Sequence, residues 1–277
     1  MDRRWALSAN GQTVAPLTRE QCAQFALTEL ESFLELLEQL DPDDWEKPTP
    51  CTLWNVRDVV AHQAGHVQMG SGLRGFWAQA NPLASRRYRE RGMSINDALN
   101  QAQVVKRRGL PVAAVVAELR DGTPRSIASR RRLSRAVARI PVPVPPAGLM
   151  PLGDLLQHIF PRDMWIHRLD VADATARPFV ETPGHDGVML AQTLADAGRH
   201  LHRHEPGISA VLKLRGPAGA TWVLNPGPTP IELEMDAADF MRRASGRATA
   251  GETLSRVTSD ASPGTLTRLL EALQAPF

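Results

Sequence analysis

The sequence predicts a mainly α-helical protein: a helical bundle over residues 1–182, followed by a small α/β domain over residues 183–277. Three observations support this. Before residue 180, apolar residues recur at helical spacing between capping signals. After "ARPFVETPGHDG" the pattern changes to short period-two runs, "AVLKLRG", "ATWVLNPG" and "PIELEM", parted by Gly and Pro. The chain, 277 residues long, has material for two cores.

The first helix starts at Thr18 and Gln21, a capping box, and carries Cys22, Phe25, Leu30, Phe33, Leu34, Leu37 and Leu40 at helical spacing until Asp41-Pro42 stops it. The second starts in "CTLWNVRDVVAHQAGHVQM", with Asn55 as N-cap, Asp58 at N3 and Trp54 and Val59 as a hydrophobic staple. Val59, His62, His66 and Met69 share one stripe of it. A third helix opens at Ser94. "PVAAVVAELRDG" continues helically to Gly122, where Thr123-Pro124 signals a restart for an arginine-rich helix. Alternating prolines make "IPVPVPPAGLMP" a loop. A last long helix spans about Leu152 to Ala174 and is expected to kink near Pro161. In the C-terminal part, a helix from about Gly187 to His202 precedes three antiparallel strands, and "DAADFMRRASGR" and "PGTLTRLLEALQ" close the chain as helices.

Composition removes several function classes. A formal charge of +2 does not call for a nucleic-acid or acidic-membrane partner. Arg125, Arg130, Arg131, Arg132, Arg135 and Arg139 cluster locally, but without interleaved aromatics they read as a solvated helix face. Two distant cysteines, Cys22 and Cys51, form no CxxC and fit a reducing cytoplasm. No segment has the length and apolarity of a signal peptide or membrane span. The expectation is a cytoplasmic protein, monomer or homodimer.

The chemistry-bearing residues lie in "PRDMWIHRLDVADAT". On a helix Asp163 and His167 are about 40° apart, and Asp170 lies about 60° to the other side of His167. His62 and His66 are paired in the same way on the second helix. If both faces point into the bundle, an Asp/His pair meets one or two histidines, an arrangement that holds metals in bundle interiors. Solvated (i, i+4) pairs would leave the same trace. His158 pairs with Asp154 but falls on the opposite face of a continuous helix. His200, His202 and His204 end a helix, where a cation beside the carboxyl terminus suffices as explanation.

"PCTLWNVRDVVAHQAGH" resembles the first signature of the mycothiol-dependent maleylpyruvate isomerase family, and "RDMWIHRLDVADA" resembles its second, an acid, three intervening residues and then H-x-x-D-[VL]-A-x-A. "MDAADFMRRASGR" is similar to the sterol-carrier-like domain that commonly follows. The resemblance implies a DinB-like four-helix bundle and puts the metal ligands at His62, Asp163 and His167, with Asp170 supporting His167 and His66 lining the pocket. Two departures are visible: Asp163 stands where Glu is frequent, and Asn55 where Ser or Thr is usual. It further implies a divalent metal, zinc by preference, and mycothiol as the thiol bound in the open position. The partners are then a low-molecular-weight thiol and a small electrophile. A thiolate that adds to a cis double bond, allows rotation and leaves again yields isomerisation; retention of the adduct or displacement of a leaving group yields S-transfer. A non-catalytic thiol- or metal-binding protein is the competing class. Arg57, Arg162 and Arg168, and in the C-terminal domain Arg243 and Arg247, are candidate anion binders. Tyr88 is a conceivable general acid, and Cys22 and Cys51 lack an identifiable base.

Overall fold

The computed structural model describes residues 6–79, 81–144 and 146–277. They divide into two compact units. One contains the described residues of 18–140 and 151–179; the other contains those of 6–17, 141–150 and 180–277. One break falls between Phe179 and Val180, and the described residues of 6–17 and 141–150 group with those after it.

The bundle unit is built from α1 (Arg19–Leu37), α2 (Val56–Gly70), α3 (Leu73–Gln79), α4 (Pro82–Arg89), α5 (Ile95–Arg107), α6 (Val112–Arg131), α7 (Arg135–Ala138), α8 (Leu152–Asp154) and α9 (Phe160–Thr175). The Thr18 capping box forms, and the Asn55 side chain accepts from the Asp58 backbone N–H at 2.9 Å. Four long helices make the bundle: α2 packs on α6 and α9, and α1 packs on the same two. Leu30, Phe33, Val59, Val60, Leu119, Met164 and Val171 fill the space between them.

Two helix readings change. α6 does not restart at Thr123-Pro124 but runs through Pro124. Thr123 Oγ1 donates back to the Leu119 carbonyl at 2.8 Å, and a Cβ at Gly122 would collide with Val67, so the glycine is there for close approach to α2 rather than for a stop. Near Pro161 the helix widens. Leu155–Ile159 form a π turn in which the Phe160 N–H reaches the Leu155 carbonyl, and Pro161 enters in the first turn of α9, where no donor is required of it.

The C-terminal unit carries a four-stranded sheet in the order β1 (Ala6–Ser8), β5 (Thr221–Leu224), β4 (Ala210–Arg215), β6 (Ile231–Asp236). β1 pairs with β5 and β5 with β4 antiparallel, but β6 runs parallel to β4. The expected all-antiparallel order fails because the loop after β5 reverses the chain and carries it past β4 to the far edge. Ala210, Leu212 and Leu214 point to the buried face; on the other, Lys213 and Glu232 pair across strands at 2.6 Å. α10 (Asp186–His204), α11 (Ala237–Ala244), α12 (Ala250–Leu254) and α13 (Pro263–Ala272) complete the unit, with Leu194, Leu201, Leu233, Phe240 and Leu270 buried. Within the stretch expected to be a loop, β2 (Pro141–Val144) and β3 (Gly148–Pro151) pair as a two-stranded ribbon. A two-stranded ribbon has only edges, and Pro141 and Pro143 occupy exposed edge positions that need no ladder donor.

Among the described residues, no helix is long and apolar enough to cross a membrane.

Candidate metal centre

α2 and α9 bring the histidines and carboxylates together. His62 sits near the middle of α2 and is 1% exposed; Asp163 and His167, one turn apart on α9, are 7% and 2% exposed. Each offers one ligand atom, and these atoms all lie within 4.8 Å of one another. His62 Nε2 is 3.2 Å from Asp163 Oδ2, and His167 Nε2 is 3.5 Å from Asp163 Oδ1. Thus the (i, i+4) pair of α9 faces the α2 histidine across the bundle, and the solvated-pair reading does not hold.

Surrounding groups hold these three in place. Asp170 Oδ2 lies 2.8 Å from His167 Nδ1. With that nitrogen donating to the carboxylate, Nε2 is the ring atom turned toward Asp163. Gln63 donates from Nε2 to Asp163 Oδ2 at 2.6 Å, and His66 Nδ1 lies 3.0 Å from the same oxygen. The His66 ring stacks on Phe160 at 4.5 Å, and Trp54, fixed by its Nε1 to Gln101, lies 4.8 Å from the His62 ring. Cys51, Trp54 and His66 are only half-buried.

The electrostatics follow from burial and proximity. Burial pushes the His62 imidazole down to about 3, and the neighbouring His66 adds to this, so His62 is neutral at pH 7. Burial alone would lower His167 as well, but the Asp163 charge and the Asp170 hydrogen bond overcome it and raise this histidine to about 10. Burial opposes ionisation of Asp163, yet His167, His66 and the histidine hydrogen bonds hold it well below the usual carboxylate range. A neutral imidazole, an ionised carboxylate and a cationic histidine whose proton occupies the centre of the cluster form a donor set that fits a divalent ion, which would take that proton's place.

The remaining candidates separate. Cys51 was passed over for want of a partner, but its Sγ donates to Asp170 Oδ2 at 3.5 Å and lies 4.0 Å from His167 Nδ1. No local spacing signals this contact, which joins the turn before α2 to α9. His158 lies in the π turn 3.9 Å from Asp154, apart from the cluster. Arg57 donates to the carbonyls of Arg108 and Leu110, tying α2 to the end of α5. Arg162 is buried. The Tyr88 hydroxyl takes a hydrogen bond from Arg87. Arg243 is buried and donates to the carbonyls of Leu270 at 2.8 Å and Ala248 at 2.5 Å, joining α11 to α13. Arg247 is half-buried and donates to the Ser245 carbonyl at 3.3 Å. His202 meets the Asn225 side chain at 2.9 Å and His200 the Ala272 carbonyl at 3.0 Å, which accounts for both without a metal.

Arg168 is a structural cation. It is 3% exposed and binds Glu29, itself fully buried, through Nε at 2.8 Å and Nη2 at 3.3 Å, while its guanidinium covers the Phe179 ring at 4.3 Å. Arg168→Met should therefore destabilise the fold by about 3–5 kcal/mol, because a buried carboxylate loses its arginine. Metal content per folded chain should stay at the wild-type level. Urea unfolding followed by elemental analysis checks both; loss of metal from a variant of unchanged stability would place Arg168 in the site.

Comparison with known proteins agrees with this architecture. Over residues 26–172 the sequence matches the family model described as mycothiol maleylpyruvate isomerase N-terminal domain. A crystal structure of the mycothiol-dependent maleylpyruvate isomerase is similar with a TM-score of 0.53 at 19% identity, over 89% of this chain and 95% of that one. A His→Ala variant of that enzyme is similar with a TM-score of 0.55 at the same identity and coverage. No curated protein matches the sequence. The family match covers more than half the chain and contains both His62 and the Asp163–Asp170 segment. The chain belongs to the mycothiol maleylpyruvate isomerase N-terminal domain family.

Proposed function

We propose that the protein is a metal-dependent, mycothiol-using enzyme that acts on a small electrophilic alkene, with maleylpyruvate-isomerase-like cis–trans isomerisation as its reaction. The observation that carries this reading is the convergence of His62, Asp163 and His167 inside the family's own domain. These three would hold the ion, zinc by preference for this N,N,O set, and leave a position open. When bound there, the ion supplies Lewis acidity that keeps a coordinating thiol deprotonated near pH 7. Asp170 fixes the His167 tautomer, and Gln63 and His66 restrain the Asp163 carboxylate, so the donors are set before any ligand arrives. Trp54 and Phe160 provide apolar walls that limit water around the reacting carbons.

The reaction types differ in thiol stoichiometry. Isomerisation returns the thiol, so metal-loaded protein given maleylpyruvate with substoichiometric mycothiol should form many product molecules per thiol, and none when thiol or metal is omitted. One product per thiol consumed would indicate S-transfer. Tight thiol binding with no conversion of activated alkenes, epoxides or halides would identify a thiol-binding protein and overturn the enzymatic reading.

A further inference from the structure

Next to the candidate metal centre the bundle holds polar groups that the ligand set does not use. A cavity of about 20 Å³ is lined by residues of α2, α6 and α9, among them Gln63, His66, Ser126, Arg130 and Phe160. One water needs roughly 10–15 Å³, so the space admits one or two oxygen-sized atoms. Ser126 is 1% exposed, and among the described residues its Oγ has no hydrogen-bond partner. Arg130, one turn further along α6, is 8% exposed; it donates to the Leu156 carbonyl, and among the described residues no carboxylate pairs with it. Burial lowers this guanidinium to about 10, so it stays cationic at neutral pH.

The Ser126 hydroxyl is seated against a glycine of α2. A Cβ at Gly70 would collide with Ser126 Oγ and sit 3.7 Å from Arg130 Cδ. The cavity also adjoins the ligand cluster: Gln63 and His66 line it, and both reach Asp163 Oδ2. A buried cation without a counter-charge, a buried hydroxyl free to donate and room for one or two oxygen atoms together favour a small anionic group such as a carboxylate.

We propose that this cavity is a carboxylate subsite, in which Arg130 and Ser126 bind an acid group of the electrophilic substrate beside the metal centre. The proposal rests on the enzyme reading above and assigns the residues that would hold the acid group of its substrate. Arg130 is the charge partner, through donors not engaged by Leu156. Ser126 supplies a neutral donor, and Gly70 leaves the place that its hydroxyl occupies.

Calorimetry with maleate as probe, on full-length protein without thiol and both with and without zinc, tests the subsite independently of turnover. Metal-free wild type should bind maleate but not dimethyl maleate. Ser126→Ala removes a hydroxyl without a partner, so it should fold like wild type, and it should weaken maleate about fivefold. Gly70→Ala, whose Cβ would push the Ser126 hydroxyl from its place, should weaken binding at least as much as Ser126→Ala while leaving metal content unchanged. Arg130→Met should weaken binding at least thirtyfold, and Arg130→Lys should restore part of it. Failure of metal-free wild type to bind maleate, or unchanged binding in Ser126→Ala and Gly70→Ala, overturns the subsite and leaves thiol-dependent turnover to be judged by its own assay. Ser126-dependent binding in a protein with no turnover would sustain the subsite and count against the isomerase reading alone.

Discussion

Replacing His167 by alanine should leave the purified protein without bound metal, where the wild type should carry about one equivalent. Of the three proposed ligands His167 alone has carboxylates at both ring nitrogens, Asp163 near Nε2 and Asp170 at Nδ1. Its removal therefore takes away a donor and also the group that organises both acids. His62→Ala should have the same outcome from the other side of the bundle. Asp170→Asn should keep the stoichiometry and lower affinity by about 10- to 100-fold, because the imidazole loses its carboxylate acceptor but no ligand. His158→Ala should bind metal like the wild type. Elemental analysis and chelator competition measure all four. A metal that survives His167→Ala and disappears with His158→Ala would put the centre on the π turn and dispose of the cluster described above.

The ligand set was legible because helical periodicity is a strict constraint. An acid and a histidine four apart must share a face, as Asp163 and His167 do, and the apolar stripe beside His62 turns that residue toward the core. Which faces meet is a tertiary fact, which the family resemblance implied and periodicity alone could not give; α2 does pack on α9. Cys51 was not legible, since its approach to Asp170 depends on where a turn is placed against a helix far away in the chain. The arginine-rich segment misled for a related reason. Arg125, Arg131, Arg132, Arg135 and Arg139 are exposed as charge patterning suggests, but Arg130 faces inward, and a run of like residues hides the one whose angle differs. At the fold level, capping residues marked the starts of α1, α2 and α5, because a cap is satisfied by its own next turn. The three-residue strand β1 is too short to show alternation and gains its meaning only from pairing with β5. Pro124 and Pro161 carry the same local signal of a break, yet both are absorbed into helices by the groups packed around them.

Metal affinity should still rise about tenfold for each pH unit between pH 7 and 9, where sites built from ordinary histidines have levelled off. In the metal-free protein the two carboxylates raise His167 to about 10, so throughout this range the ion must displace one proton from it. His62, lowered to about 3 by burial, carries no proton to be displaced, so the slope should be one and not two even below pH 6.5. The same shifts give the metal-free fold opposite sensitivities at its two limits. For His167, with its value raised on folding, the stabilising contribution is complete below the unfolded value of 6.5 and is lost as pH rises through about 10. For His62, with its value depressed on folding, the contribution is complete above 6.5 and is lost as pH falls toward about 3. Chelator competition across pH 5–9 on wild type and Asp170→Asn reads the first effect. Removing the Asp170 charge should bring His167 down toward its ordinary range and flatten the wild-type slope at high pH. A wild-type affinity that is flat above pH 7, equal in slope to Asp170→Asn, would mean that His167 enters the site already neutral and that Asp170 positions the ring without holding its proton.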